Sequence, residues 1–301
     1  MLNVGMIING GFRLLRERVG SVLAWGAIYS LIGYAMGYFM MTAMAPMQTM
    51  GPRPDPSRAF AAMGSFFGTF VLIELLFFCV YAVLLTAAQR AVLRPEESAL
   101  ASIRFGGDEL RMIGLAIFIG FLFLIGYIVA SVILGMIFVA VGVAAGAPGA
   151  MIPIVIVGAV VILCLFLFFW VKVSLAFPLT LMRGRFVFAE AWRISRGHFW
   201  TLLGGYVVLT LIVIVFAVLA SLVLQGSYWS QLMGGGLTGP AAQQAARAQM
   251  EAQYTLGLPM VLNLVVATIL GGVTIAFTGG ATATAARALA NDQREVADTF
   301  A

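Results

Sequence analysis

Long apolar runs alternate with short, mostly basic segments along the whole 301-residue chain. Six runs can be read, at about Val19–Ala45, Ala59–Ala88, Arg111–Ala145, Met151–Met182, Phe199–Gln225 and Gly257–Ala286. Each reaches the ~20 residues that cross a ~30 Å hydrocarbon core at about 1.5 Å per residue. Lipid cannot satisfy an open backbone, and the alternating short-strand pattern of a membrane barrel is missing, so the runs predict helices. The expected fold is an all-α polytopic membrane helix bundle of six transmembrane helices, a single integral membrane domain over residues 1–301.

The connecting segments carry their own periodicity. Val4, Ile7, Ile8, Phe12, Leu15 and Val19 recur every three to four residues, with Arg13, Arg16 and Glu17 off that stripe. Before the fifth span, Phe186, Phe188, Ala189, Trp192 and Phe199 form the apolar side, against Arg185, Glu190, Arg193 and Arg196. This spacing predicts short interfacial helices with aromatics toward the acyl chains and Arg outward. Phe105 is the corresponding aromatic before the third span. On the other side, Pro46 to Arg58 reads as an irregular turn. Thr238-Gly239-Pro240 starts a short surface helix running to about Tyr254. Ala43-Met44-Ala45 matches a small-x-small cleavage site, but the apolar stretch before it far exceeds a ~7–15-residue signal core, so the first helix is read as retained.

Composition removes the soluble alternative. Charged residues are 10% of the chain and hydrophobic ones 62%, where a soluble domain carries roughly 25% charged. Mean hydropathy is +1.05. The net charge of +5 arises from sixteen Arg and one Lys. Thirteen of the Arg lie in the N-terminal segment, the second and fourth connections and the C-terminal segment. Only Arg53, Arg58 and Arg247 lie in the odd-numbered connections. The positive-inside rule therefore predicts a multi-pass protein with both termini cytoplasmic. Anionic headgroups at that face are the expected partners, at about 1 kcal/mol per basic residue near the surface. Other membrane proteins, or a second copy of the chain, are further candidate partners. No basic run is long enough to follow a nucleic-acid backbone. Cys79 and Cys164 fall inside spans and read as small hydrophobes.

The chain further reads as three hairpin-like units, each a basic segment, a span out and a span back. Phe12-Arg13-Leu14-Leu15-Arg16 through Ser21 aligns with Trp192-Arg193-Ile194-Ser195-Arg196 through Thr201. Thr86-Ala87-Ala88-Gln89-Arg90 at the end of the second span is similar to Thr284-Ala285-Ala286-Arg287 at the end of the sixth. Ala189-Glu190-Ala191-Trp192-Arg193-Ile194-Ser195-Arg196-Gly197-His198-Phe199-Trp200, after a span ending Phe177-Pro178-Leu179, resembles a recurring bacterial signature, as does Gly11-Phe12-Arg13-Leu14-Leu15-Arg16. Both resemble the six-span family named for the membrane domain of glycerophosphoryl diester phosphodiesterases. The family's membrane part often accompanies a soluble catalytic domain with metal, paired His and carboxylates. This chain has one histidine, and Arg183-Gly184-Arg185 stands where an acidic residue is often found. The resemblance implies a non-catalytic protein of the bacterial cytoplasmic (inner) membrane.

Two ionisable residues fall well inside spans, Glu74 and Lys172. A lone charge there costs ~2.5–3.5 kcal/mol on insertion scales, so a partner or wet cavity is expected. The readings are a mutual ion pair joining the second and fourth spans, a polar site for a headgroup, ion or proton, or Lys172 snorkelling to the interface beside a protonated Glu74. His198, with Arg196, opens the fifth span where a helix N-terminus favours phosphate, or it is a plain anchor. Gly114, Gly120, Gly126, Gly271-Gly272 and Gly279-Gly280 permit either close helix approach or kinks. No phosphate loop, nucleophile elbow or metal-ligand spacing occurs, and no cofactor is expected. The function expected is a scaffold or accessory engaging lipid or partner proteins. The alternative is a transporter or lipid translocase with a polar site at Glu74 and Lys172.

Overall fold

The computed structural model describes residues 2–48, 55–96, 100–104, 106–145, 151–226, 248 and 253–299. Among these residues the protein is helical, with no strand. Six helices are long and apolar enough to cross a membrane. They are α2 (Val19–Gln48), α3 (Pro56–Leu93), α4 (Gly107–Ala145), α5 (Met151–Val173), α8 (Phe199–Leu224) and α9 (Leu258–Thr299), and three shorter helices accompany them: α1 (Val4–Glu17), α6 (Ala176–Arg183) and α7 (Phe188–Ser195). Consecutive spans meet as hairpins, α2 with α3, α4 with α5 and α8 with α9. Phe105, most of the Pro-rich turn and nearly all of the expected surface helix before Tyr254 lie outside the described residues.

The fourth apolar run bends inside its span: α5 and α6 follow one another as two helices, and together they form one apolar stretch that reaches Arg183. Pro178 has no N–H to give the Ser174 carbonyl, and the Ser174 hydroxyl donates to Val171 O (2.8 Å) instead. The chain turns at Ser174 and Leu175 and restarts as α6, whose Leu179, Thr180 and Leu181 are buried. Gly184 ends it in the left-handed region (φ 65°), its N–H donating to Thr180 O at 2.9 Å. At the other end of the bundle, Asp55 caps α3 by accepting from Ser57 N (2.9 Å) and Ser57 Oγ (2.7 Å), which holds its carboxyl below the ordinary carboxylate range.

Helix α9 is the axis of the packing and touches α1, α2, α3, α6 and α8. Two glycine crossings make that possible. A Cβ on Gly26 would fall on the Thr268 carbonyl oxygen, and one on Gly272 would fall on Val22 O. Likewise Gly10 of α1 lies against Thr284 and the Gly280 carbonyl. Close approach is thus the role of the α9 glycines. In α4 the glycines are looser, and Gly126 has open space beside it.

The same contact changes the reading of α1. Its fully buried residues are Ile7, Gly10, Gly11 and Leu14, which share only Ile7 with the expected stripe; Ile8, Phe12 and Leu15 of that stripe pack half-buried against the core, and Val19 is exposed. Backbone proximity to α9 demands small residues, so the glycines, not the bulkiest side chains, mark the contact. Phe12 packs on Phe277, ring centroids 4.9 Å apart, so its neighbour is protein. The alignment between α1 and α7 does have structural counterparts. Both helices break just before a span, at Arg18 and at Arg196–His198, and Leu14 and Ile194 are both buried. The middle unit has a 3-10 turn at Leu100–Ser102 in that place.

Buried side chains concentrate at the end of the bundle that holds α1, α6 and α7, here called the basic end: Ile7, Trp25, Leu84, Met112, Leu179, Leu202 and Ile275. Farther along, α3, α4, α5 and α8 bare apolar surface, among it Phe60, Leu72, Phe121, Met136, Val157 and Phe216. Helices apolar all round suit hydrocarbon rather than water.

Candidate functional site

The connection between α3 and α4 is held by charge. Arg90, 2% exposed, donates through Nη2 to Glu109 Oε1 and through Nη1 to Ser102 O (3.0 Å). Glu109, 3% exposed, also accepts from Gly106 N at 3.0 Å. One turn on, Arg94 reaches Asp108 Oδ2 (3.1 Å) and Leu181 O at the end of α6 (2.8 Å). Asp108 Oδ1 accepts from Arg111 at 2.8 Å. Trp25 of α2, fully buried, donates its indole N–H to Ala101 O at 2.8 Å. Ala101 and Ser102 have positive φ (53° and 54°), a conformation that costs non-glycine residues about 1–3 kcal/mol each. The Trp25 and Arg90 donors grip the carbonyls of those two residues and hold the turn. This cluster is a clamp: three Arg interlock with two carboxylates, and it joins α2, α3, α4 and α6.

Beside it lies a cavity of about 340 Å³ walled by α3, α4, α5, α8 and α9. That volume falls in the ~300–1,000 Å³ range of ligand pockets. Its polar groups are uncharged: Tyr81, Gln89, Ser174, Tyr206, Thr210, Thr274, Thr278 and Thr282. Ser174 and Tyr206 share a hydrogen bond of 3.0 Å. Thr282 donates to Thr278 O (2.6 Å), so it must accept from Gln89 Nε2 (3.2 Å). That fixes the amide orientation and leaves Gln89 Oε1, fully buried, without a donor. A second pocket, about 420 Å³ and almost wholly apolar, opens on the helix surface among the exposed Leu122, Tyr127, Leu165 and Phe166 and shares Ile119, Phe123 and Val173 with the first. Hydroxyls on one side and hydrocarbon on the other make an amphipathic pair of chambers.

The two in-span charges do not meet. Glu74 is exposed on α3, with Tyr29 its electrostatic neighbour. Lys172 is buried near the end of α5, its ammonium 5.7 Å from the Phe168 ring centroid and 5.9 Å from that of Phe199. Glu74 faces outward from α3 while the Lys172 side chain lies beside Phe168 and Phe199, so the expected pair fails on the directions the two side chains take. Glu74→Gln and Lys172→Met are therefore expected to shift the unfolding midpoint additively, within about 0.5 kcal/mol, as for separated sites. A coupling above about 1 kcal/mol in that double-mutant cycle would restore the pair.

Arg13, Arg16, Arg193 and Arg196 are exposed, as their place off the apolar stripe implies. Arg13 meets Glu17 at 3.9 Å across solvent, an arrangement of little energetic weight. Glu190 pairs with Arg183 at 3.0 Å. His198 is half-buried with Nδ1 covered and unpartnered. Cys79 and Cys164 are both free. Among the described residues no three His, Cys, Asp or Glu side chains gather as metal ligands would. The clamp carries a sequence signal, Arg90 and Arg94 four apart on one face with Asp108-Glu109 opening the next span. The cavity's Thr and Tyr residues are spread over three helices, and the signal that could have found them is Thr274, Thr278 and Thr282, four apart on one face of α9. Comparison with protein-family models, curated proteins and solved structures gives no match.

Proposed function

We propose that this six-span membrane protein is a non-catalytic accessory of the bacterial cytoplasmic membrane that holds a lipid in its paired cavities. The observation that carries this reading is the chamber of about 340 Å³ with an unsatisfied Gln89 carbonyl, next to an apolar one that shares Ile119, Phe123 and Val173 with it. An amphipathic molecule bearing a hydroxyl or amine would supply the missing donor and lay its chain along Phe123 and Phe166. The distribution of Arg supports a cytoplasmic basic end. The likeness to the phosphodiesterase membrane-domain family supports an accessory role. The translocase alternative built on Glu74 with Lys172 loses its carrying feature, because those side chains are apart.

Native mass spectrometry tests the reading. Wild-type protein from a mild detergent is expected to retain one lipid. Gln89→Leu, or Ala116→Phe filling the chamber wall, is expected to lower that retention about tenfold, equivalent to about 1.4 kcal/mol. Undiminished retention by a folded Ala116→Phe variant would reject the cavity as the site.

A further inference from the structure

The hydrogen bonds around the hydroxyl-lined chamber run in one direction. The Ser174 hydroxyl spends its proton on Val171 O (2.8 Å), so in the 3.0 Å bond between Ser174 and Tyr206 the phenol must be the donor. Thr274 gives its proton to Leu270 O (2.8 Å), and Thr282 gives its own to Thr278 O (2.6 Å). Gln89 turns an amide N–H to Thr282, which leaves Oε1 of this fully buried side chain without a donor. The protons of these hydroxyls are consumed by the protein itself, and what they have left for an occupant is lone pairs. No charged side chain lines the chamber.

The occupant that suits such a wall is rich in donors and poor in acceptors. A hydroxyl head brings one O–H and two lone pairs of its own, which would be buried against other lone pairs. A primary ammonium brings three N–H donors and no acceptor, and hydrogen bonds from a charged donor are the stronger kind. Its charge is costly to bury, and the rings of Phe78, Trp170 and Phe177 in the same lining offset part of that cost. In an aminophospholipid the phosphate of the same head carries the counter-charge that the chamber lacks. Ring attraction acts on any ammonium and would suit a quaternary one as well. The unsatisfied oxygen separates the two, because trimethylation leaves no N–H to give it. Position agrees with this chemistry. Gln89 directly precedes Arg90 of the clamp, and Ser174 lies at the turn between α5 and α6, so these acceptors sit at the basic end, at the depth of a lipid head.

We propose, resting on the reading that the chamber holds a lipid, that its occupant has a primary ammonium head whose N–H groups donate to Gln89 Oε1 and to the hydroxyl oxygens beside it.

The test removes the donors one at a time. The full chain in mild detergent is titrated with phosphatidylethanolamine, its N-methyl and N,N-dimethyl derivatives and phosphatidylcholine, all with the same acyl chains, and retention is read by native mass spectrometry. Phosphatidylglycerol of those chains supplies the hydroxyl head. Retention is expected to fall with each methyl, by about tenfold from the first lipid to phosphatidylcholine, and to be weaker for phosphatidylglycerol than for phosphatidylethanolamine. Gln89→Leu is expected to flatten the series. Thr282→Val, which keeps the shape of the side chain and frees the Gln89 amide to turn, is expected to do the same and reports even where Gln89→Leu fails to fold. Equal retention across the methyl series, or phosphatidylglycerol held as tightly as phosphatidylethanolamine, would overturn the proposal. If Ala116→Phe still lowers the retention of every lipid in that case, the cavity reading stands without it, so the two fail separately.

Discussion

Glu109→Gln is expected to cost about 3–5 kcal/mol of stability, the largest loss from any single change of similar shape in this chain. The substitution keeps the volume of the side chain but leaves the Arg90 guanidinium buried without a counter-charge, and Arg90 Nε already has no acceptor. Asp108, 4.0 Å from Arg90 and shared with Arg94 and Arg111, is too far and too occupied to take over. Arg90→Met with Glu109→Leu is expected to lose less than Glu109→Gln alone, because a removed pair leaves no naked charge. The residual loss reports the freed Ser102 and Gly106 groups, about 1 kcal/mol each. Thermal unfolding midpoints in one detergent check the order of the three proteins. A double variant worse than the single one would show the ion pair to be incidental to the turn.

The second large effect belongs to the α2–α9 crossing. Gly26→Leu is expected to cost about 3 kcal/mol, the upper end for overpacking, since any Cβ there meets backbone of α9 that has no rotamer to yield. Gly20→Leu, six residues earlier in the same helix and with open space around it, is the control. It is expected to stay within about 0.5 kcal/mol of wild type. Equal shifts for the two would mean that the glycines act through helix propensity rather than through contact.

What could be read from residues alone follows from how each feature is encoded. Span length and Arg placement are one-dimensional, so all six long helices and the restart at Val19 were legible. The pairing of Glu74 with Lys172 failed because equal depth says nothing about azimuth. Successive helical residues turn by about 100°, so two charges at one level face each other only by chance. The α1 stripe was legible through Ile7, Ile8, Phe12 and Leu15, but its closest contact at Gly10 and Gly11 was not, because small residues that bring backbones together score as neither apolar nor polar. The cavity is assembled from several helices at once, and only the Thr274, Thr278, Thr282 stripe of α9 marks part of it locally.

Photoaffinity labelling with a diazirine-bearing phospholipid, followed by peptide mapping, tests the lipid-holding claim most directly. Adducts are expected on cavity residues of α3 and α9, such as Tyr81, Gln89 and Thr278, and to be displaced by excess unlabelled lipid. Adducts confined to the outward faces of α4 and α8, at residues such as Phe121 and Phe216, with none in the cavity, would contradict it.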